Sequence, residues 1–211
     1  MTALESVGAA AEIVRAASSS DYRILVGIAG APGAGKSSLA AELAETIGTA
    51  AIVLPVDGFH YPQSKLVELG RRDRMGAPDT FDVGSLLETL VAIRRGFGNS
   101  GVLLAAPGFD RDIEEPVPDA IHVTPEISTV IVEGNYLLFD SGGWERIFPL
   151  LDLTFFVDLD RQVRLERLVA RHVRFGKTED DARAWALGPD EANATLIEGT
   201  ASRAGYRISL R

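Results

Sequence analysis

The chain has no cysteine. A disulfide framework, a thiolate nucleophile and a zinc–cysteine centre are all excluded, and a reducing compartment is compatible. An excess of basic charge is missing too: 21 Lys and Arg stand against 30 Asp and Glu, a formal charge of −9. Neutralising the phosphates of nucleic acid or an anionic membrane needs net positive surface, so neither is an expected partner. The histidines His60, His122 and His172 lie too far apart in sequence to suggest a histidine metal cluster. No apolar run approaches the roughly 18 residues that cross a bilayer. Glu5 and Glu12 stand where a secretory leader would be basic and then greasy, so the expected location is the cytoplasm.

What remains is ordinary globular material, 46% hydrophobic and 24% charged, enough for one compact domain with a small lid. Short β-rich runs alternate with helical periods, the pattern of a parallel sheet flanked by helices. A first helix is predicted over residues 3–17, where Leu4, Val7, Ala11 and Val14 share a face. Strands are predicted at 24–29, 51–56, 129–132, 153–157 and 206–210, giving an α/β fold with a parallel five-stranded core. Helices are predicted at 36–47, at 83–95 behind Asp82 as cap, and at 161–175, 178–187 and 190–203. Residues 61–81 read as charged and irregular. Weaker strands at 101–105 and 120–123 flank a charged loop over 107–118, and a small strand pair is expected within 101–123. Ligands of such sheets bind beyond the carboxyl ends of the strands, so chemistry is expected there.

Gly30-Ala31-Pro32-Gly33-Ala34-Gly35-Lys36-Ser37 satisfies the G-x-x-x-x-G-K-[ST] pattern between a buried strand and a helical period. Glycines let successive backbone N–H groups turn inward around phosphate oxygens, and the next helix N-terminus adds partial positive charge. Gly30, Ala31, Gly33, Ala34, Gly35, Lys36, Ser37 and Ser38 are the candidate ATP-binding residues. Lys36 would bridge the β- and γ-phosphates, and the Ser37 hydroxyl would complete a magnesium shell. The Asn-Lys pair of guanine-reading GTPases occurs nowhere, and residues 129–133 do not end in the paired acids common in motor ATPases. A small-molecule kinase is the expected class.

Asp57 follows the second strand, where a carboxylate can align an alcohol and accept its proton; the alternative is a turn aspartate capping backbone amides. Glu133 ends another buried strand and can hold magnesium directly or through water, or serve structure alone. Asn135 stands between turn geometry and ligand contact, and His60 between substrate contact and a structural role. His122 and His172 read as structural. Arg164, Arg167, Arg171 and Arg174 recur along one helix face. Like charges so spaced oppose the helix by ~0.2–0.5 kcal/mol per pair, so either an anion or acids from elsewhere must face them.

Together with Pro78-Asp79-Thr80-Phe81-Asp82 and Val132-Glu133-Gly134-Asn135-Tyr136-Leu137-Leu138, these segments resemble the uridine kinase, phosphoribulokinase and bacterial pantothenate kinase group. Asp57-Gly58-Phe59-His60 and Glu133 to Leu138 look most like its branch labelled nucleoside/nucleotide kinase or fructose-transport-system kinase. The resemblance implies a three-layer P-loop fold in one domain over 1–211: N-terminal helix 1–20, core 21–160, lid about 161–188, and C-terminal helix and strand 189–211.

It also implies ATP and Mg2+ as cofactors, Asp57 as the acceptor-side base, and Ser37 and Glu133 on magnesium. Lys36 and the lid arginines Arg164, Arg167 and Arg171 would neutralise the phosphates, with Arg167 acting on the transferring group and Arg174 left open. Asp79 matches the aspartate that holds sugar hydroxyls in uridine kinases, although a role at the start of a helix competes. Phe109-Asp110-Arg111-Asp112 stands where uridine kinases carry a tyrosine-aspartate element followed by a base-reading histidine. Phe109 is thus a substrate-side position, while pyrimidine reading is not implied. The expected partner is a small hydroxyl-bearing substrate: a sugar such as fructose, a nucleoside or a pantothenate-like alcohol. A homodimer is the assembly left open. A slowly hydrolysing regulatory ATPase and a catalytically silent transport-associated module are the competing readings.

Overall fold

The computed structural model, which describes residues 2–98 and 103–209, begins with a strand where periodicity predicts helix. Strand β1 (Thr2–Leu4) pairs in parallel with the last strand of the chain. Helix α1 (Val7–Ala17) starts only after Ser6, whose hydroxyl accepts from the Ala9 amide. Three residues cannot display a period of two, and their partner lies at the other end of the sequence, so the helical spacing was extended one turn too early.

The chain continues as β2 (Ile24–Gly30), α2 (Lys36–Ile47), β3 (Ala51–Pro55), α3 (Gln63–Glu68), α4 (Val83–Arg95), β4 (Leu104–Asp110) and β5 (Glu115–Val123). Then follow β6 (Thr129–Glu133), β7 (Leu153–Asp158), α5 (Arg161–Arg174), α6 (Glu179–Trp185), α7 (Glu191–Glu198) and β8 (Tyr206–Ser209). A π-type turn, Ala186–Asp190, joins α6 to α7. The helix predicted to reach residue 203 stops at Glu198, and a single 3-10 turn, Ala201–Arg203, follows. Of the predicted strand positions, Gly101, Val102 and Leu210 lie outside the described residues.

Six parallel strands form the sheet in the order β1-β8-β7-β2-β6-β3, one more than predicted because β1 joins the edge. The central strands β2 and β6 are buried at every position, as parallel strands covered on both faces must be. Alternation along β2 divides the core. Ile24, Val26 and Ile28 pack with α1 and α2, whereas Leu25 and Ala29 pack with Leu86, Leu90 and Ile93 of α4. Burying each such Leu or Ile contributes about 1.5–3 kcal/mol.

The register aligns the strand ends that carry the chemistry. Ile28 is opposite Glu133, and Glu133 is opposite Pro55, so the glycine-rich loop, Glu133 and Asp57 leave the sheet side by side.

The strand pair expected within 101–123 is present as the antiparallel ribbon β4 with β5, but its strands run on through most of the predicted charged loop over 107–118, with a register shift between Ala106 and Gly108. Pro107, Pro116 and Pro118 obscured it in the sequence. A two-stranded ribbon leaves one edge of each strand unpaired, so prolines there need not break a ladder bond. Residues 61–81 fold as α3 and isolated 3-10 turns rather than as wholly irregular chain.

Candidate active site

Gly33 has φ +80, and a Cβ there would stand 2.9 Å from the Arg164 carbonyl oxygen. Only glycine lets the loop turn this way with α5 pressed against it. Gly35, also left-handed, caps α2 with no side-chain hydrogen bond, leaving the first-turn amides free for an anion. Gly33, Gly35, Lys36, Ser37 and Ser38 line a cavity closed on its other side by Arg167 and Arg171. Gly30, Ala31 and Ala34 lie behind this surface: Gly30 ends β2, the Ala31 carbonyl accepts from Lys36 Nζ at 3.2 Å, and Ala34 is in the core.

Burial lowers the Lys36 ammonium to about 8, against the pull of Glu133 and Asp57. Ser37 Oγ donates to Glu133 Oε1 at 2.9 Å. Burial and the neighbouring Asp57 charge push the Glu133 carboxyl above the ordinary range. Two oxygen donors beside a phosphate cradle suit magnesium, which takes only a few protein ligands and completes its shell with phosphate and water. Among the described residues no cluster of three or more His, Asp or Glu forms an all-protein metal cage.

Asp57 occupies a 3-10 turn, Val56–Phe59, directly after β3. Its Oδ2 accepts from Arg111 Nη2 at 2.6 Å. Burial alone would raise this carboxyl, but Arg111, His60, Lys36 and Arg171 together hold it below the usual carboxylate value. Gly58 explains how the ribbon comes so close: a Cβ there would lie 2.3 Å from the Pro107 carbonyl oxygen.

His60 Nδ1 donates to the Asp57 carbonyl at 3.0 Å, and its ring lies 3.8 Å from that of Phe81. Burial lowers its pKa against the pull of the Asp57 carboxylate, and Nε2 is buried and unpartnered. Asp57, His60, Phe109, Glu133 and Asn135 line one cleft, which Lys36, Ser37 and Arg171 connect to the phosphate cradle.

Two more predicted positions lie away from the cradle and the cleft. Arg164 is 1% exposed; it pairs with Glu191 and reaches towards the Pro32 carbonyl rather than the cradle. Asp79 does not line the cleft, because Arg74 holds both its oxygens at 2.6 and 2.7 Å and Arg71 lies 3.3 Å away. Arg174 lies over the ring of its neighbour Phe175. His172, read as structural, lines the far end of the cleft, with Nε2 2.7 Å from Asp190 Oδ2. Asn193, Trp185 and Arg111 also line it and were not singled out by sequence. Only Arg111 left a trace, as a departure from the tyrosine-aspartate element.

A parallel sheet, an anion-cradling loop with its lysine, and a carboxylate facing that loop define a P-loop phosphotransferase. Residues 25–184 match the family described as "Phosphoribulokinase / Uridine kinase family". A "Putative uridine kinase" of Schizosaccharomyces pombe is 36% identical over 190 residues, covering 83% of this chain and 78% of that protein. The uncharacterized protein YggC of Escherichia coli is 36% identical over 180 residues, 83% of this chain and 73% of its own length. Among solved structures, a "putative fructose transport system kinase" from Silicibacter superposes with TM-score 0.87 and 32% identity, covering 99% of this chain and 100% of that one. YFH7 of Saccharomyces cerevisiae, at TM-score 0.78 and 19% identity, shares the fold. The chain belongs to the phosphoribulokinase/uridine kinase family. Among the described residues, no helix is long and apolar enough to cross a membrane.

Proposed function

We propose that this protein transfers the γ-phosphate of MgATP to a hydroxyl of a sugar, nucleoside or related metabolite. The single observation that carries this reading is the placement of Asp57 in a cleft that Lys36 and Ser37 share with the phosphate cradle. A carboxylate there can align an alcohol with the phosphoryl group and accept its proton, while Lys36, Arg167 and Arg171 face the charge on the phosphates. Magnesium, held by Ser37 and Glu133, would add further charge neutralisation. The whole chain acts as one kinase domain, with α5 and α6 as lid.

The names of two relatives, "Putative uridine kinase" and "putative fructose transport system kinase", favour a polyhydroxylated acceptor. With Asp79 engaged by arginines, the hydroxyl-reading groups are Asn135, His60 and, at the far end, Asp190 and Asn193. Acceptor-dependent ADP release across a panel of sugars and nucleosides tests the proposal. Release stimulated by one compound class supports it, and hydrolysis indifferent to every acceptor contradicts it.

A further inference from the structure

The Arg111 side chain is 42% exposed, yet it does not meet Asp57 by chance. The turn carrying it is fastened at several points to the segment after β3. Gln63 Nε2 donates to the Glu114 carbonyl at 3.0 Å, its backbone amide donates to the Glu115 carboxylate at 3.2 Å, and Arg72 Nη2 donates to Glu114 Oε2 at 3.0 Å. Glu114 adopts φ +53, a left-handed conformation that a non-glycine residue keeps only where its surroundings impose it. From this held turn the Arg111 guanidinium ends 2.6 Å from Asp57 Oδ2, inside the cleft proposed for the acceptor.

A kinase that carries a base opposite its γ-phosphate must contend with water. The same carboxylate that takes a proton from an alcohol can take one from a water molecule. The water oxygen then bonds to the γ-phosphorus, the bond from phosphorus to the β,γ-bridging oxygen breaks, the proton passes to the carboxylate, and ADP and phosphate leave. A guanidinium seated on the carboxylate opposes this, by occupying an oxygen and by lowering its basicity. Arginine suits the task because it stays charged at every working pH.

Resting on the kinase reading above, we infer that Arg111 makes Asp57 selective for an alcohol over water: it holds the carboxylate while the acceptor cleft is empty and yields it when a substrate hydroxyl takes its place. Glu114, in the same turn and lining the same cleft, gives Oε2 to Arg72 and has Oε1 to offer the released guanidinium.

The test needs no knowledge of the acceptor. Phosphate release from MgATP alone is measured for the wild type, Arg111→Ala, Arg111→Gln and the double variant Arg111→Ala/Asp57→Asn, with MgATP affinity titrated for each. Both single variants should hydrolyse about tenfold faster than the wild type, and Asp57→Asn should remove that gain. Rates at or below wild type with MgATP still bound would overturn the inference. So would a gain that survives Asp57→Asn, or loss of MgATP binding on changing Arg111 alone. A wild type that fails to bind MgATP would contradict the kinase reading itself, and this inference would fall with it.

Discussion

The Ser37 hydroxyl donates to Glu133 Oε1 across 2.9 Å, joining the first turn of α2 to the last residue of β6. Ser37 lines the phosphate cradle and Glu133 the cleft that adjoins it, where a magnesium ion escorting ATP would arrive. Glu133→Gln keeps the shape and removes the charge. It should raise the Mg2+ concentration for half-maximal turnover by roughly 10- to 100-fold. A magnesium titration at fixed ATP checks this. Because burial raises the Glu133 carboxyl, protons compete with the cation at higher pH than for an ordinary glutamate. Apparent magnesium affinity should therefore weaken as pH falls through that raised value, and Glu133→Gln should lose this dependence.

Lys36 carries the opposite sign. Its ammonium is charged below about 8 and loses its proton as pH rises through that value. The charged form is the one that meets phosphate, so kcat/KM for MgATP should decline above about pH 8. Lys36→Met should bind MgATP weakly at all pH and show no such decline. Nucleotide titrations at stepped pH give the answer.

The arginine stripe should divide into a structural and a phosphate-facing part. Arg164 is buried against Glu191, so Arg164→Ala empties a buried site, while Glu191 keeps its second partner, Arg161. A loss of about 1–3 kcal/mol is expected, lowering Tm by about 2–12 °C. Arg167→Ala, at the cradle wall, should leave Tm nearly unchanged and weaken turnover instead. Thermal melts beside steady-state kinetics separate the two.

Asp79 and Asn193 make a second contrasting pair. The Asp79–Arg74 pair is exposed, 41% and 47% for the two side chains. Asp79→Ala should cost only about 0–1 kcal/mol and leave acceptor KM near wild type. Asn193 is buried in the cleft wall, so Asn193→Ala should raise acceptor KM. Once an acceptor is found, KM values for both variants decide which position reads it.

How much of this was legible in sequence depended on how local each feature is. The run Ile24 to Ile47 carried its own strand, turn and helix signals, and α2 has the predicted bounds. Asp82 likewise caps α4 as expected, accepting from the Ser85 amide. Strand β1 was invisible because its only support is a partner at the far terminus. Spacing placed Arg164 and Arg167 on a common face but said nothing of what stands opposite, and Glu191 takes one while the cradle faces the other. Arg111, Asp190 and Asn193 reach the cleft only through tertiary packing of the β4–β5 ribbon and of the chain after α6. No motif announces Asp190 or Asn193.

The account turns on Asp57 as the group that accepts the alcohol's proton. The direct measurement is acceptor-dependent ADP release by Asp57→Asn, alongside its MgATP affinity. Transfer should fall by about 10²–10⁴-fold while MgATP affinity stays near wild type. Transfer that persists in Asp57→Asn at the wild-type rate would contradict the account.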